Sequence, residues 1–122
     1  MSETAIVSRN LLTTFGYAKD YDAVVTVKVE SHVCTFALEY ERSAKKKAAY
    51  LDIRERLESE QLVKRFLYLA SSENVLSFLT HCFTSIHAEL YLGLAKDFVA
   101  SPLDAPVLEA FSRKPTVFRN AL

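Results

Sequence analysis

The order of patterns along the chain predicts an α/β domain: a mixed β-sheet flanked by helices, in the order β-β-α-β-α-β. Three observations carry this reading. Two runs rich in valine and threonine, DAVVTVKV and VCTFALEYE, are separated only by the short polar break Glu30-Ser31-His32, the pattern of a hairpin. A charged helical stretch then leads to FLYLA, a continuous apolar run of the kind that fills the interior of a sheet. A second helical stretch leads in turn to IHAELYLGL.

Residues 5 to 17, AIVSRNLLTTFGY, read either as a strand or as a short helix leading to Gly16. Strands are expected over Asp22–Val29 and Val33–Glu41, with the turn type open because no Asn-Gly or Asp-Gly is present. Ser43 is a good N-cap for a helix running to about Glu60, whose apolar stripe is Ala44, Ala48, Leu51 and Leu57. Phe66–Ala70 is the interior strand, and Ser71-Ser72 start a second helix over Glu73–Phe83. Residues 86 to 94 make a further strand. Pro102 and Pro106 punctuate a loop, and the tail Val107–Leu122 holds one short helix.

The totals bound the possibilities. At 122 residues the chain forms one domain, residues 1–122, with a core large enough to need no staples. Fifteen basic and fifteen acidic residues leave no net charge, so any attraction to nucleic acid comes from a local patch. Cys34 and Cys82, far apart in apolar surroundings, read as two reduced, buried thiols of a cytoplasmic protein, with a single disulfide as the alternative. No apolar run approaches a membrane span. With two glycines in the chain, the glycine-rich loops that hold nucleotide cofactors are excluded.

The most informative stretch is FALEYERSAKKK, Phe36 to Lys47. Side chains alternate along a strand, so Glu39 and Glu41 share a face with Ala37, while Cys34, Phe36, Leu38 and Tyr40 form the heavier apolar face expected to meet the core. Asp22 joins the glutamates if the hairpin loop has an even number of residues. With Ser31-His32 as the loop it stands across from Glu41, with facing Cβ atoms about 5 Å apart. Like charges so placed need an offset, and a hard divalent cation taking oxygen ligands supplies one. Such an ion serves phosphodiester hydrolysis. The plainer reading is that these are solvent-facing strand ends, which need no metal; periodicity alone favours it.

The pattern YDAVVTV…FALEYERSAKKKAAYLDI…KRFLYLAS resembles the core of the restriction-endonuclease-like, PD-(D/E)XK-type superfamily. Its motif is an aspartate, a gap, then Glu/Asp-x-Lys. Closer still, it is similar to the nuclease-like domain of replication-relaxation proteins from plasmids and mobile elements, where a glutamate-rich strand runs into Ser-x-Lys and a tyrosine-bearing helix, as Glu39, Glu41, Ser43, Lys45 and Tyr50 do here. Asp22 matches the motif aspartate and Glu39 the first acid of the second strand. Glu41 stands where the lysine usually does, a departure shared by some active members. The resemblance implies a magnesium- or manganese-dependent DNA endonuclease: Asp22 and Glu39 hold the ion, Glu41 is a ligand or orients water, and Lys45 or Lys46 contacts phosphate. It equally admits an inactive nuclease-like fold, used for dimerisation or protein contact in replication control. That family usually carries a winged-helix part not visible in this sequence, so residues 1–122 can be a piece of a longer protein.

Charge is uneven along the chain. Residues 20–41 hold five acids and one base, a balance of −4, and residues 42–65 hold eight bases and four acids, a balance of +4. A basic helix beside an acidic pocket suits a phosphate-bearing partner such as DNA. It also suits internal pairing, since Asp52 and Arg56 are four apart, as are Arg54 and Glu58. His32, His81 and His87 have no ligand spacing, and no pattern supports serine or cysteine nucleophiles.

Overall fold

The computed structural model describes residues 16–122 and the backbone of residues 5–8. Strands β1 (Ala5–Ser8), β2 (Ala23–Val29) and β3 (His32–Glu41) run antiparallel to one another. Helix α1 (Lys47–Ser59) then crosses to β4 (Arg65–Ala70), and α2 (Glu73–Cys82) crosses to β5 (Glu89–Leu94). Both crossovers join parallel neighbours, which is what a helical connection permits and a tight hairpin does not. A short helix α3 (Ala95–Ala100), strands β6 (Pro106–Glu109) and β7 (Lys114–Val117) and a 3₁₀ turn (Phe118–Ala121) complete the chain. The seven strands lie side by side in sequence order. The domain is α/β with a mixed sheet, as expected.

Both faces of the sheet are covered. On one, α1 and α2 bury Tyr50, Ile53, Leu57 and Leu79 against Val24, Ala37, Phe66 and Tyr68. On the other, Leu103, Phe118 and Ala121 close over Val25, Val27, Phe36, Leu67 and Leu69. This double cover explains FLYLA: a strand buried on both sides has no polar face to alternate. It also corrects the expected orientation of β3. The glutamates lie on the helix-covered face, not away from the core, and Tyr40, expected inside, is 47% exposed.

The hairpin turn is Glu30-Ser31 rather than Ser31-His32, because Val29 pairs with His32 and Glu30 takes the left-handed conformation at φ 54°. The loop still has two residues, so the facing parity holds, but the register moves by two. Ala23 pairs with Leu38, and one step on Asp22 stands level with Glu39 instead of Glu41.

Helix α1 begins at Lys47, not after Ser43, and no side chain caps it. The cause is Glu41. Its carboxylate accepts from Lys45 Nζ at 2.8 and 2.6 Å and from the Tyr50 hydroxyl at 2.9 Å, while the Lys45 backbone N–H donates to that hydroxyl at 3.1 Å. These bonds hold the link before Lys47 out of helical geometry, with Lys46 extended at φ −66°, ψ 148°. The buried stripe is consequently Tyr50, Ile53 and Leu57, and Leu51 is 61% exposed.

The second helix starts as expected, with Ser72 accepting from the Val75 N–H at 3.3 Å. The tail differs from expectation: β6 and β7 form a hairpin where one short helix was expected. Pro106 opens one strand and Pro115 sits in the edge strand, positions where a missing N–H costs little. Cys34 and Cys82 are free and buried. No described helix is long and apolar enough to cross a membrane.

Candidate functional site

The carboxyl ends of β3 and β4 meet the segment that enters β2 and the start of α1. In open α/β sheets ligands bind outside the carboxyl ends of the strands. Glu39 and Glu41, two residues apart on β3, rise from one face there and are 7% and 5% exposed. Asp22, just before β2, fixes itself by accepting the Tyr40 backbone N–H at 2.8 Å. It stands level with Glu39 on the neighbouring strand, and its charge adds to the effect of burial on that carboxyl.

Each glutamate has a lysine. Lys19 Nζ donates to Glu39 Oε2, and Lys45 Nζ bonds both oxygens of Glu41. Burial is the largest influence on Glu39. It is opposed by Lys19 and reinforced by Asp22, and the carboxyl is pushed up to about 7. Burial likewise lifts Tyr50, with Glu41 adding to it and the Lys45 N–H opposing, to about 12. Nearby, the Tyr21 hydroxyl donates to Glu60 at 2.6 Å, and burial with that bond raises its pKa. Burial pushes Glu60 upward, but Tyr21 and the backbone N–H groups of Leu62, Ala18 and Gln61 outweigh it and hold the carboxyl below its ordinary value.

Beside the two lysines opens a cleft of about 360 Å³ lined by Lys19, Asp20, Lys45, Ala49, Asp52, Ile53 and Arg56. Arg56 pairs with Asp52 at 2.9 Å, the expected helix-turn pair. Arg54 does not pair with Glu58. It donates to the carbonyls of Cys82 and Thr84 at 3.1 and 2.7 Å, at the carboxyl end of α2, while Glu58 accepts the His87 N–H at 2.8 Å. Arg42 and Lys46 on the link into α1, and Lys47 at its first position, are exposed with no carboxylate partner among the described residues.

Of the residues singled out in the sequence, the fold therefore sets Asp22 level with Glu39, within reach of its charge, and Glu41 two residues on along β3, turned to Lys45 and Tyr50. Lys46 faces solvent. Among the described residues no set of three or more His, Cys, Asp and Glu side chains is placed to hold a metal ion. The Asp22–Glu39 pair is nonetheless chemically suited to Mg²⁺ or Mn²⁺, since hard cations take oxygen donors and Mg²⁺ is commonly held by one or two carboxylates with waters. Sequence reasoning missed Lys19 and Tyr68. Lys19 lies three residues before Asp22, and a cation that close to a motif aspartate was the available signal. No protein-family model matches the chain, and no match is found among curated proteins or solved structures.

Proposed function

We propose that the chain is a DNA-associated domain with a restriction-endonuclease-like core that hydrolyses phosphodiester bonds with Mg²⁺ or Mn²⁺. The observation that carries this reading is the placement of Asp22, anchored just before β2, level with the buried Glu39 of β3, close enough for the two charges to act on each other. Two carboxyls so placed repel, and Lys19 offsets only the Glu39 side, so a shared divalent cation would relieve the rest. The run β2-β3-α1-β4-α2-β5 also follows the order that the sequence resemblance implies. Bound between Asp22 and Glu39, the ion would polarise a phosphoryl oxygen and lower the pKa of water. The chain's own residues supply the rest. Lys19, on Glu39, takes the place of the lysine missing from β3, Glu41 orients water, and Lys45 with the exposed Arg42, Lys46 and Lys47 receives the DNA backbone.

A second reading has its own support. Lys19 and Lys45 already neutralise Glu39 and Glu41, as expected of an inactive nuclease-like fold kept for dimerisation or protein contact. One experiment separates the two. Supercoiled and single-stranded DNA are incubated with the native chain and with Glu39→Ala, in Mg²⁺, Mn²⁺ or EDTA. Hydrolase function requires metal-dependent cutting that Glu39→Ala reduces by at least about 100-fold, the scale on which loss of a charge-stabilising group acts. Uncut DNA with both metals, together with a dimer in light scattering, decides for the scaffold.

A further inference from the structure

The carboxylate site contains one buried polar atom that no described residue serves. The Tyr68 hydroxyl has no hydrogen-bond partner among the described residues, and the residue is 1% exposed. Register sets Tyr68 level with Glu39 on the same face of the sheet, one strand over; two residues further on, Glu41 is level with the small Ala70. The ring is held in the core by Phe83 at 5.2 Å. Burial first, then the charges of Glu39 and Glu41, keep the hydroxyl's pKa well above the ordinary tyrosine value, so it is a donor at every physiological pH. Its neighbours are served: Tyr21 donates to Glu60 and Tyr50 to Glu41. Tyr68 alone of the three is not, and both glutamates beside it are engaged by lysines from elsewhere.

A buried hydroxyl without a partner is costly, and proteins relieve that cost with an ordered water that finds two to four polar partners. A water lodged here would meet one donor, Tyr68, and two acceptors, Glu39 and Glu41. We propose that Tyr68 is a positioning residue whose hydroxyl holds a water molecule between Glu39 and Glu41; on the hydrolase reading above, on which this second half rests, that water is the nucleophile. In hydrolysis the water oxygen bonds phosphorus and its proton passes to Glu41. The ester P–O bond breaks with its electron pair on the departing sugar oxygen, which takes a proton from solvent.

The test uses the whole chain and Tyr68→Phe. In metal-free native protein, NMR should show a cross-peak between water and the Tyr68 hydroxyl or ring protons. With Mg²⁺ and plasmid DNA, Tyr68→Phe should lose at least about tenfold in kcat with KM for DNA nearly unchanged, a split that general loosening of the fold does not produce. A missing cross-peak overturns the proposal, and a cross-peak with unaltered kcat overturns its nucleophile half. If the native chain cuts nothing, the hydrolase reading fails by itself. The cross-peak, measured on the unaltered chain, still decides whether Tyr68 holds the water, even should Tyr68→Phe not fold.

Discussion

Glu39 illustrates how one buried carboxyl leaves a mark on the whole stability curve. Its folded-state pKa, about 7, lies above the ordinary carboxylate value of 4.5. Below about pH 4.5 the group is protonated in both states. Between 4.5 and 7 the folded chain keeps a proton that the unfolded chain has released, so the contribution of this residue falls as pH rises and levels off above 7. Roughly 1–3 kcal/mol is at stake. Glu60, held below its ordinary value, acts in the opposite sense and loses its contribution as pH falls. Urea midpoints measured against pH in EDTA should therefore decline across 4.5–7 for the native chain and flatten in Glu39→Gln; an equal slope in both removes Glu39 as the cause. A second residue test concerns Glu41. Tyr50→Phe takes away a donor from a carboxylate that is 5% exposed and an acceptor from the Lys45 N–H, and should cost about 1–3 kcal/mol by denaturant titration.

Helix starts separate what local sequence specifies from what a neighbouring strand imposes. Ser72 and Ser43 both look like caps, yet only Ser72 accepts a bond from the first turn of its helix. Ser72→Ala should destabilise by about 1 kcal/mol, while Ser43→Ala, at an exposed position four residues ahead of α1, should stay within about 0.5 kcal/mol. Equal losses would mean that α1 starts at Ser43 after all. At the other end of the same crossover, Arg54 closes the carboxyl terminus of α2 through two carbonyls, so α1 is fastened to α2 as well as to the sheet.

Across the whole molecule, stability rests on two apolar layers of different origin. Local crossovers build the helical layer, whereas the opposite layer depends on the last residues of the chain returning over the sheet. Phe118, 1% exposed, meets Phe36 edge-on at 4.9 Å and also contacts Tyr91 and Phe98. The Ala121 carbonyl accepts from Arg65 at 3.0 Å, and the Leu122 carbonyl from the Cys34 thiol at 3.4 Å. Phe118→Ala should cost about 3–5 kcal/mol. It should also speed amide exchange in β2 and β3, whose Val25, Val27 and Phe36 share its apolar layer, more than in α2; uniform acceleration would show that the two layers unfold as one.

The sequence by itself determined the α/β class, the central strands and the second helix, because β-branched runs, an unbroken apolar pentapeptide and a serine cap act over a few residues. It also marked Asp22, Glu39 and Glu41 as unusual. The tail hairpin was not legible: four-residue strands opened or interrupted by proline carry no period of their own and exist because β5 offers an edge. Tertiary structure alone decided that the turn is Glu30-Ser31, which sets Asp22 against Glu39. It also decided that helices cover the glutamate face, and that Lys19, Lys45, Tyr50 and Tyr68 surround the acids. Local pattern fixes which way a side chain can point. Which charges finally share a buried space depends on a register and a packing that the chain settles only when its distant segments meet.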